Sequence, residues 1–288
     1  MEATNEKTGH VVLCPNPHRD TGLLLTEKTR RLLEEAGIEI VLSPIFDADM
    51  SMYTDIPVKP LQEAVIGAKL LVTFGGDGTI LYVARTIIQN PVPILGVNLG
   101  KKGFMAEIMP DELDQVVKAA EGRYTLDVRM MLDVRLMRDG EAVCSESALN
   151  DAVINGVGRI IHIKAYGDGM PMTEFYGDGI IASTPTGSTA YSISAGGPIV
   201  EPSARNILLT PLCAHDLLSR ALVLMPERLV TLELGEMTGR RAILSVDGGD
   251  AVEMFDGDIL EVRRSKYETL LAHMEGQSFF HDLRQKFS

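Results

Sequence analysis

The first 123 residues alternate short apolar runs with segments in which apolar and polar residues follow a helical period. The apolar runs predict four strands, at 10–14, 38–42, 69–74 and 93–98. The amphipathic segments predict four helices, at 21–36, 61–68, 80–89 and 111–121. Several helix breakers across 47–60 predict a surface loop. Because continuous apolar strands alternate with helices, this half is predicted to be a Rossmann-like α/β domain built on a doubly wound parallel sheet.

After residue 123 the pattern changes to short apolar runs and alternations, separated by Asp-Gly and other Gly-rich turn signals. We therefore predict a β-rich second domain over 124–266. Within it, 188–195 is compatible with a short helix after a Pro-Thr-Gly turn. The last segment, 278–287, predicts an amphipathic helix or strand, and we expect residues 267–288 to return to the first domain, 1–123.

A glycine-rich loop lies between the third predicted strand and the third predicted helix. Its residues are Gly75, Gly76, Asp77, Gly78 and Thr79. Glycines at such a junction leave backbone N–H groups open at a helix N-terminus, which favours phosphate binding. A carboxylate within an anion site repels phosphate, so Asp77 is better explained as a proton acceptor or a hydroxyl anchor. Taken alone, the loop is also compatible with an ordinary turn.

A second cluster of glycine and hydroxyl residues lies in the β-rich half. Tyr176, Gly177, Asp178 and Gly179 precede a run from Ser183 to Ser194 that contains eight hydroxyl side chains. Closely spaced hydroxyls can both donate and accept hydrogen bonds, which suits a sugar, an amide or a purine edge. The alternative is a Ser/Thr-rich loop whose hydroxyls bond to its own backbone.

Composition narrows the possible partners. The chain has 288 residues, of which 45% are hydrophobic, and a formal net charge of −13. This charge argues against a nucleic acid or an anionic membrane as partner, because both require a surplus of Lys and Arg. The cysteines, Cys14, Cys144 and Cys213, lack metal-ligand spacing and predict small buried side chains. No apolar targeting or membrane-spanning segment is visible, so we expect a cytoplasmic protein.

The two motifs in this order resemble those of the bacterial NAD kinases. GGDGT at 75–79 is followed about a hundred residues later by GDGIIASTPTGSTAYSISAGGPIV at 177–200. The stretch from Asn98 to Met105, the pair Asn150 and Asp151, and residues 278–284 are also similar to that family. The resemblance covers most of the chain and implies a two-domain NAD kinase-like fold.

The resemblance implies a reaction in which ATP phosphorylates the 2′-hydroxyl of the adenosine ribose of NAD to give NADP. A divalent cation, magnesium, would bridge phosphate oxygens. Asp77 matches the proton acceptor of the family, a sensible role because a ribose hydroxyl is a poor nucleophile until it loses its proton. Gly75, Gly76 and Gly78 would let the phosphate chain approach the backbone. A homodimer or homotetramer is also implied.

The resemblance also implies further substrate contacts, each at a position of this sequence that matches a family motif. Asn150 and Asp151 match the residues that hold the adenine and ribose, although an Asn-Asp pair is also typical of a turn. Asp178 matches the carboxylate at the nicotinamide end. The remaining implied contacts are Thr79, Tyr176, Thr186, Thr189, Ala190, Tyr191, Ser192, Ile193 and Ser194. His162 and His215 are not assigned a catalytic role.

This sequence departs from the family pattern at a few positions. Lys101 and Lys102 stand where many members have a bulky apolar residue, and Gly249 stands where relatives often carry glutamine. One polar contact to the dinucleotide is therefore expected to be absent. The motifs leave open whether polyphosphate replaces ATP and whether NADH is accepted.

Three other functions remain as alternatives. A kinase with a GGDG loop could act on a lipid or a sugar phosphate, but a lipid kinase should show an apolar groove or a basic face. A hydride-transferring dehydrogenase is disfavoured because no GxGxxG motif follows the first strand. A sensor that binds the dinucleotide without turnover would tolerate the loss of Asp77.

Overall fold

The computed structural model describes residues 9–45, 55–100, 103–216, 219–236, 241–274 and 279–287. The chain forms two compact units, one of Met1–Val128 with Thr269–Ser288 and the other of Arg129–Glu268. Within the described ranges, no helix is long and apolar enough to cross a membrane. Lys101 and Lys102, Ser278 and most of the predicted 47–60 loop lie outside the described residues.

Sixteen strands are assigned within the described residues. In chain order they are β1 (His10–Pro15), β2 (Ile40–Leu42), β3 (Ala68–Gly75), β4 (Ile94–Asn98), β5 (Thr125–Arg138), β6 (Glu141–Ala148), β7 (Asp151–Gly156), β8 (Ile161–Gly167), β9 (Met170–Gly177), β10 (Gly179–Ser183), β11 (Ile207–Leu212), β12 (Leu222–Leu224), β13 (Val230–Leu234), β14 (Ala242–Val246), β15 (Val252–Met254) and β16 (Ile259–His273). The helices are α1 (Leu24–Glu35), α2 (Leu61–Ala64), α3 (Asp77–Thr86), α4 (Asp114–Ala120), α5 (Tyr191–Ser194) and α6 (Phe279–Phe287).

The first unit contains the predicted parallel sheet. β1 pairs in parallel with β2 and with β3, and β3 pairs in parallel with β4, which gives the order β2-β1-β3-β4. The end of β16 adds a further parallel pairing, between Leu271 and Ile94. These strands read as continuous apolar runs because the sheet is buried, with side chains such as Leu13, Val72 and Phe74 fully inaccessible. The α/β prediction is confirmed.

Three helices of this unit begin at positions other than those predicted, and one of them, α4, starts at Asp114 instead of 111. α1 starts at Leu24 instead of 21, because Gly22 and Leu23 have positive φ angles, +66° and +53°, and close a short 3₁₀ turn, Thr21–Leu23. The buried Asp20 carboxylate accepts hydrogen bonds from the backbone N–H groups of Leu25 and Thr26 and satisfies the first turn. α3 starts at Asp77 instead of 80, so the acidic residue of the glycine-rich loop belongs to the helix.

The second unit is β-rich, as predicted. One sheet has the antiparallel order β12-β11-β10-β7-β14-β15. Elsewhere in the unit β8 pairs with β9 and β13, β13 pairs with β16, and β5 pairs with β16 and β6. A large apolar core includes Ile154, Ile180 and Leu244. This core fixes strand register, because a slip of one residue would turn each apolar face outward.

Turns in the second unit follow the Asp-Gly signals of the sequence. Asp139, Asp168 and Asp247 each have a φ near +50°, and each is followed by a glycine of positive φ. Asp tolerates this left-handed region better than bulky residues do, and Gly has no steric penalty there. The predicted short helix after Pro185 is present as a 3₁₀ turn, Thr186–Thr189, followed by α5. The predicted C-terminal segment is helix α6.

Candidate active site

The glycine-rich loop lies at the carboxyl end of β3, at the point where the order of the parallel sheet reverses. β2 lies on one side of β1 and β3 on the other, so the loops that follow β1 and β3 leave the sheet from neighbouring positions. Asn16, directly after β1, donates from its backbone N–H to Phe74 O at 3.3 Å. Ligands of doubly wound sheets bind at such a switch point.

Asp77 begins α3 and accepts three backbone hydrogen bonds. Its Oδ2 accepts from Phe104 N at 2.7 Å, and its Oδ1 accepts from Met105 N at 3.1 Å and Ala106 N at 3.0 Å. Gly103 lies against the same carboxylate, and a Cβ built on it would overlap both oxygens. The carboxylate therefore anchors residues 103–106 while it remains partly exposed.

Thr79 faces the protein interior. Its side chain is 5% exposed, and Asn16 Nδ2 donates to its Oγ1 at 3.3 Å. A Cβ on Gly75 would overlap that hydroxyl, so the glycine makes room for Thr79. Thr79 thus links the loops after β1 and β3, and sequence analysis did not indicate Asn16 as its partner.

Phe104 lies beside the C-terminal helix. Its ring centroid is 6.2 Å from that of Phe279, and Lys286 Nζ is 3.6 Å from its centroid. Close by, His273 Nδ1 and Glu107 Oε2 are 2.7 Å apart, and Met274 N donates to Glu107 Oε1 at 2.9 Å. The segment anchored by Asp77 is thus in contact with the end of the chain.

In the second unit, the structure brings Asn150 together with the hydroxyl-rich motif. Thr184 N donates to Asn150 O at 2.9 Å, and Thr184 Oγ1 donates to Leu149 O at 2.6 Å. A Cβ on Gly187 would overlap the backbone of Asn150, which explains the glycine at that position. Asn150 Oδ1 is buried and has no hydrogen-bond partner among the described residues. This carbonyl oxygen can accept a hydrogen bond from a bound ligand.

Many hydroxyls of the second motif point inward. Thr186, Ser188 and Ser192 are buried, and Ser192 Oγ lies 2.9 Å from Thr210 Oγ1. Arg129, itself only 5% exposed, donates from Nη1 to Thr186 Oγ1 at 3.2 Å. The other predicted contacts are more accessible: Thr189, Ala190 and Ile193 are partly exposed, and Tyr191 and Ser194 are exposed. Several hydroxyls of the motif thus bond within the protein, as in the alternative of a Ser/Thr-rich loop, while others remain accessible.

Tyr176, in β9, and Asp178, which follows that strand, are both exposed. The Tyr176 ring stacks on His162, with centroids 4.4 Å apart and planes at 9°. His162 Nε2 is 2.8 Å from Glu174 Oε1, and its ring fills the space that a Cβ on Gly235 would need. His162 therefore supports the ring of Tyr176 from one side.

Cys213 departs from the prediction that all three cysteines are buried. Cys14 is buried and Cys144 is half-buried, but Cys213 is exposed, with a φ of +46° in the turn after β11. A hydrogen bond to the Asp178 carboxylate raises the pKa of the Cys213 thiol. The sequence could not indicate this position, because exposure here follows from the turn. His215, two residues later, donates from its backbone N–H to Tyr176 O at 2.8 Å.

Asp151 is the acidic residue of this set whose ionisation is most perturbed. It is 6% exposed, and burial, followed by the negative charge of Asp247, raises its pKa from 3.8 to about 7. Folding thus favours the neutral acid. The stability that this preference gives is fully present below pH 3.8 and is lost as the pH rises to about 7.

We therefore expect the free energy of unfolding of the native protein to fall by about 2 kcal/mol more than that of Asp151→Asn between about pH 5 and about pH 8. Asparagine has nearly the same shape and carries no charge at either pH, so it removes only the titration. Urea unfolding of both proteins at the two pH values measures the difference. Equal pH dependence in the two proteins would contradict a raised pKa at Asp151, and Asp139→Asn in an exposed turn is the control.

Comparison with known proteins finds similarity over most of the chain. Residues 11–124 match the family model described as the ATP-NAD kinase N-terminal domain, and residues 149–274 match the ATP-NAD kinase C-terminal domain. A relative from Ruminiclostridium cellulolyticum named NAD kinase is 38% identical over 274 residues, which are 94% of this chain and 95% of that protein.

Two solved structures have the same fold. The crystal structure of yeast NADH kinase complexed with NADH gives a TM-score of 0.85 at 25% identity and covers 98% of this chain and 88% of that chain. An NAD kinase from Archaeoglobus fulgidus in complex with ATP gives a TM-score of 0.75 at 23% identity and covers 96% of this chain and 98% of that chain.

Proposed function

The chain belongs to the ATP-NAD kinase family, and on that premise we propose how its residues phosphorylate NAD. In the proposed reaction the 2′-hydroxyl of the adenosine ribose attacks the terminal phosphorus of ATP, NADP and ADP form, and Asp77 takes the hydroxyl proton. The observation that carries this assignment is the placement of Asp77. Its carboxylate lies at the N-terminus of α3, at the carboxyl end of a central parallel strand, and three backbone N–H groups fix its orientation.

A carboxylate held in this way can still accept a proton. Its two oxygens offer about four lone-pair sites, of which three are used by residues 104–106. A fourth site is left for a substrate hydroxyl, and the fixed orientation means that little reorganisation is needed when the hydroxyl arrives. Gly75, Gly76 and Gly78 are proposed to bind the phosphates of ATP, since the N-terminus of α3 has backbone N–H groups without partners in the helix.

The dinucleotide is proposed to bind the residues of the second unit. Asn150 and Asp151 hold adenine and ribose, and the unpartnered Asn150 Oδ1 is suited to accept a hydrogen bond from an amino group. Asp178 and the exposed rings of Tyr176 and Tyr191 are proposed as further contacts. The remaining proposed contacts are Thr186, Thr189, Ala190, Ser192, Ile193 and Ser194. Thr79, Ser192 and Thr186 contribute through buried hydroxyls that shape the two loops.

Magnesium is proposed to enter with ATP. The described part of the chain has no group of three or more His, Cys, Asp or Glu side chains that could hold a metal ion. Mg²⁺ is commonly bound through substrate phosphates and water with few protein ligands. The ion would neutralise charge on the phosphoryl group during transfer.

The test of the proposed function is NADP formation by the purified protein from NAD, ATP and Mg²⁺. NADH and polyphosphate are assayed in parallel as alternatives to NAD and ATP. Binding of NAD without NADP formation would support the dinucleotide sensor, and phosphorylation of a lipid or a sugar phosphate instead would support the other kinases.

Sedimentation of the same sample tests the proposed homodimer or homotetramer, and cell fractionation tests the proposed cytoplasmic location.

Chelation separates a catalytic from a structural role of the metal. We expect EDTA to abolish NADP formation and added Mg²⁺ to restore it, while the thermal midpoint changes by less than about 2 °C. A metal that only bridges substrate phosphates contributes nothing to folding of the free protein, unlike a structural metal. Differential scanning fluorimetry and the activity assay measure the two effects, and a large loss of thermal stability would contradict the proposal.

A further inference from the structure

The turn between β14 and β15 carries a carboxylate directed at the segment proposed to hold adenine and ribose. Asp247 Oδ2 accepts a hydrogen bond from Leu149 N at 2.8 Å. Its Oδ1 accepts from Asn150 N at 2.8 Å and from Asp151 N at 3.0 Å. Three consecutive backbone N–H groups of that segment therefore donate hydrogen bonds to one carboxylate. Asp247 N also donates to Asp151 O at 2.9 Å, which adds a backbone link.

The backbone at Asp247 explains why an aspartate fits this position. Its φ is +49°, and Gly248 follows with a φ of +68°. Asn, Asp and Gly tolerate this left-handed region, whereas bulky residues are strained there. The three N–H donors add a second requirement, a side chain with two acceptor oxygens and no donor. Among the residues suited to the turn, ionised aspartate meets both requirements, tolerance of a positive φ and two acceptor oxygens.

The same segment is fixed on its carbonyl side by the hydroxyl-rich motif. Thr184 N and Thr184 Oγ1 donate to the carbonyl oxygens of Asn150 and Leu149. Asp247 supplies the acceptor for the N–H groups, so both N–H groups and carbonyl oxygens of the main chain at 149–151 have hydrogen-bond partners. The direction of the unpartnered Asn150 Oδ1 then follows from a backbone that cannot rotate freely.

We propose that Asp247 is a positioning residue for the dinucleotide, which acts by orienting Asn150 and Asp151. The proposal rests on the proposed function, in which those two residues bind NAD. Displacement of a binding group by about 1 Å can cost on the order of 100-fold in a site of this kind. Loss of the carboxylate should therefore weaken the interaction with NAD and leave the interaction with ATP largely unchanged.

Asp247→Asn is the first variant to test. Asparagine keeps the left-handed turn and the approximate shape, but it replaces one acceptor oxygen with an amide that faces N–H donors. We expect the KM for NAD to rise about tenfold or more, with kcat and the KM for ATP within about threefold of the native values. Calorimetric titration of NAD in the absence of ATP should show the same loss of affinity.

Asp168→Asn is the matched control. Asp168 also has a positive φ, +51°, and precedes a glycine, and its Oδ1 accepts from Leu229 N at 2.9 Å. It also forms an ion pair with Arg228. The control therefore loses the same kind of carboxylate in the same kind of turn, away from residues 149–151. Its KM for NAD should stay within about twofold.

Two kinetic results would overturn the proposal. One is an unchanged KM for NAD in Asp247→Asn, and the other is a parallel loss of kcat and of the affinities for both substrates that follows reduced thermal stability. If the asparagine variant does not fold, Asp247→Gly keeps the backbone conformation without placing a donor there. Hydrogen exchange of the native protein gives an independent measure, since the amides of Leu149, Asn150 and Asp151 should be protected. Rapid exchange at all three would also overturn the proposal. Absence of NADP formation by the native protein, with these amides protected, would instead contradict the proposed function.

Discussion

Replacing Asp77 with asparagine is expected to lower kcat for NADP formation by about 100- to 10,000-fold, the range that a general base contributes. Asparagine cannot take a proton from the ribose hydroxyl at neutral pH. It retains one acceptor oxygen for the N–H groups of residues 104–106, so the local fold should survive in part. Initial rates at saturating NAD and ATP measure the effect.

Binding measurements determine how an inactive Asp77→Asn enzyme is interpreted. NAD affinity within about tenfold of the native value, with an unchanged thermal midpoint, would assign the loss to proton transfer. Turnover above about a tenth of the native rate would exclude Asp77 as the essential base. In that case Asp151, whose pKa is raised to about 7, becomes the carboxyl to test as proton acceptor, through Asp151→Asn.

Local pattern was sufficient to predict much of the fold. The strands of the parallel sheet are apolar along their whole length because both faces are buried, and such runs are visible without any knowledge of their neighbours. The Asp-Gly turns were equally readable, since positive φ angles strongly restrict residue type. Helix starts were less accurate. Asp77 was assigned to a loop because a glycine-rich sequence disfavours helix, but in the structure Gly76 is extended and the helix begins directly after it.

The supporting contacts of the site could not be predicted, because they join residues far apart in sequence. Asp247 was recognised only as part of a turn signal, and its partners are 96 to 98 residues away. The pairing of β14 with β7 brings them together, and strand order is not encoded in local periodicity. The sequence also did not indicate that the hydroxyls of Thr79 and Ser192 point inward. Serine and threonine are common both in loops that bind ligands and in loops whose side chains hydrogen-bond to their own backbone.

Gly103→Ala is expected to lower kcat/KM for NAD by about 100-fold, because it moves the Asp77 carboxylate without changing its chemistry. The added Cβ would overlap both carboxylate oxygens and Cγ of Asp77. The side chain is short and is tied to the N–H groups of residues 104–106, so it cannot move aside without breaking those bonds. Initial rates at varied NAD concentration measure the loss, and hydrogen exchange at residues 104–106 should accelerate.

Gly100→Ala is the control for this substitution. A Cβ on Gly100 would meet Asn98 Oδ1 at 3.9 Å, an ordinary contact, so activity should stay within about twofold. Together with Asp77→Asn, the pair separates the chemistry of the carboxylate from its position. Loss in both Asp77→Asn and Gly103→Ala means that the anchored orientation is part of catalysis. If Gly103→Ala remains fully active while Asp77→Asn is inactive, proton transfer needs the carboxylate but not its attachment to residues 104–106.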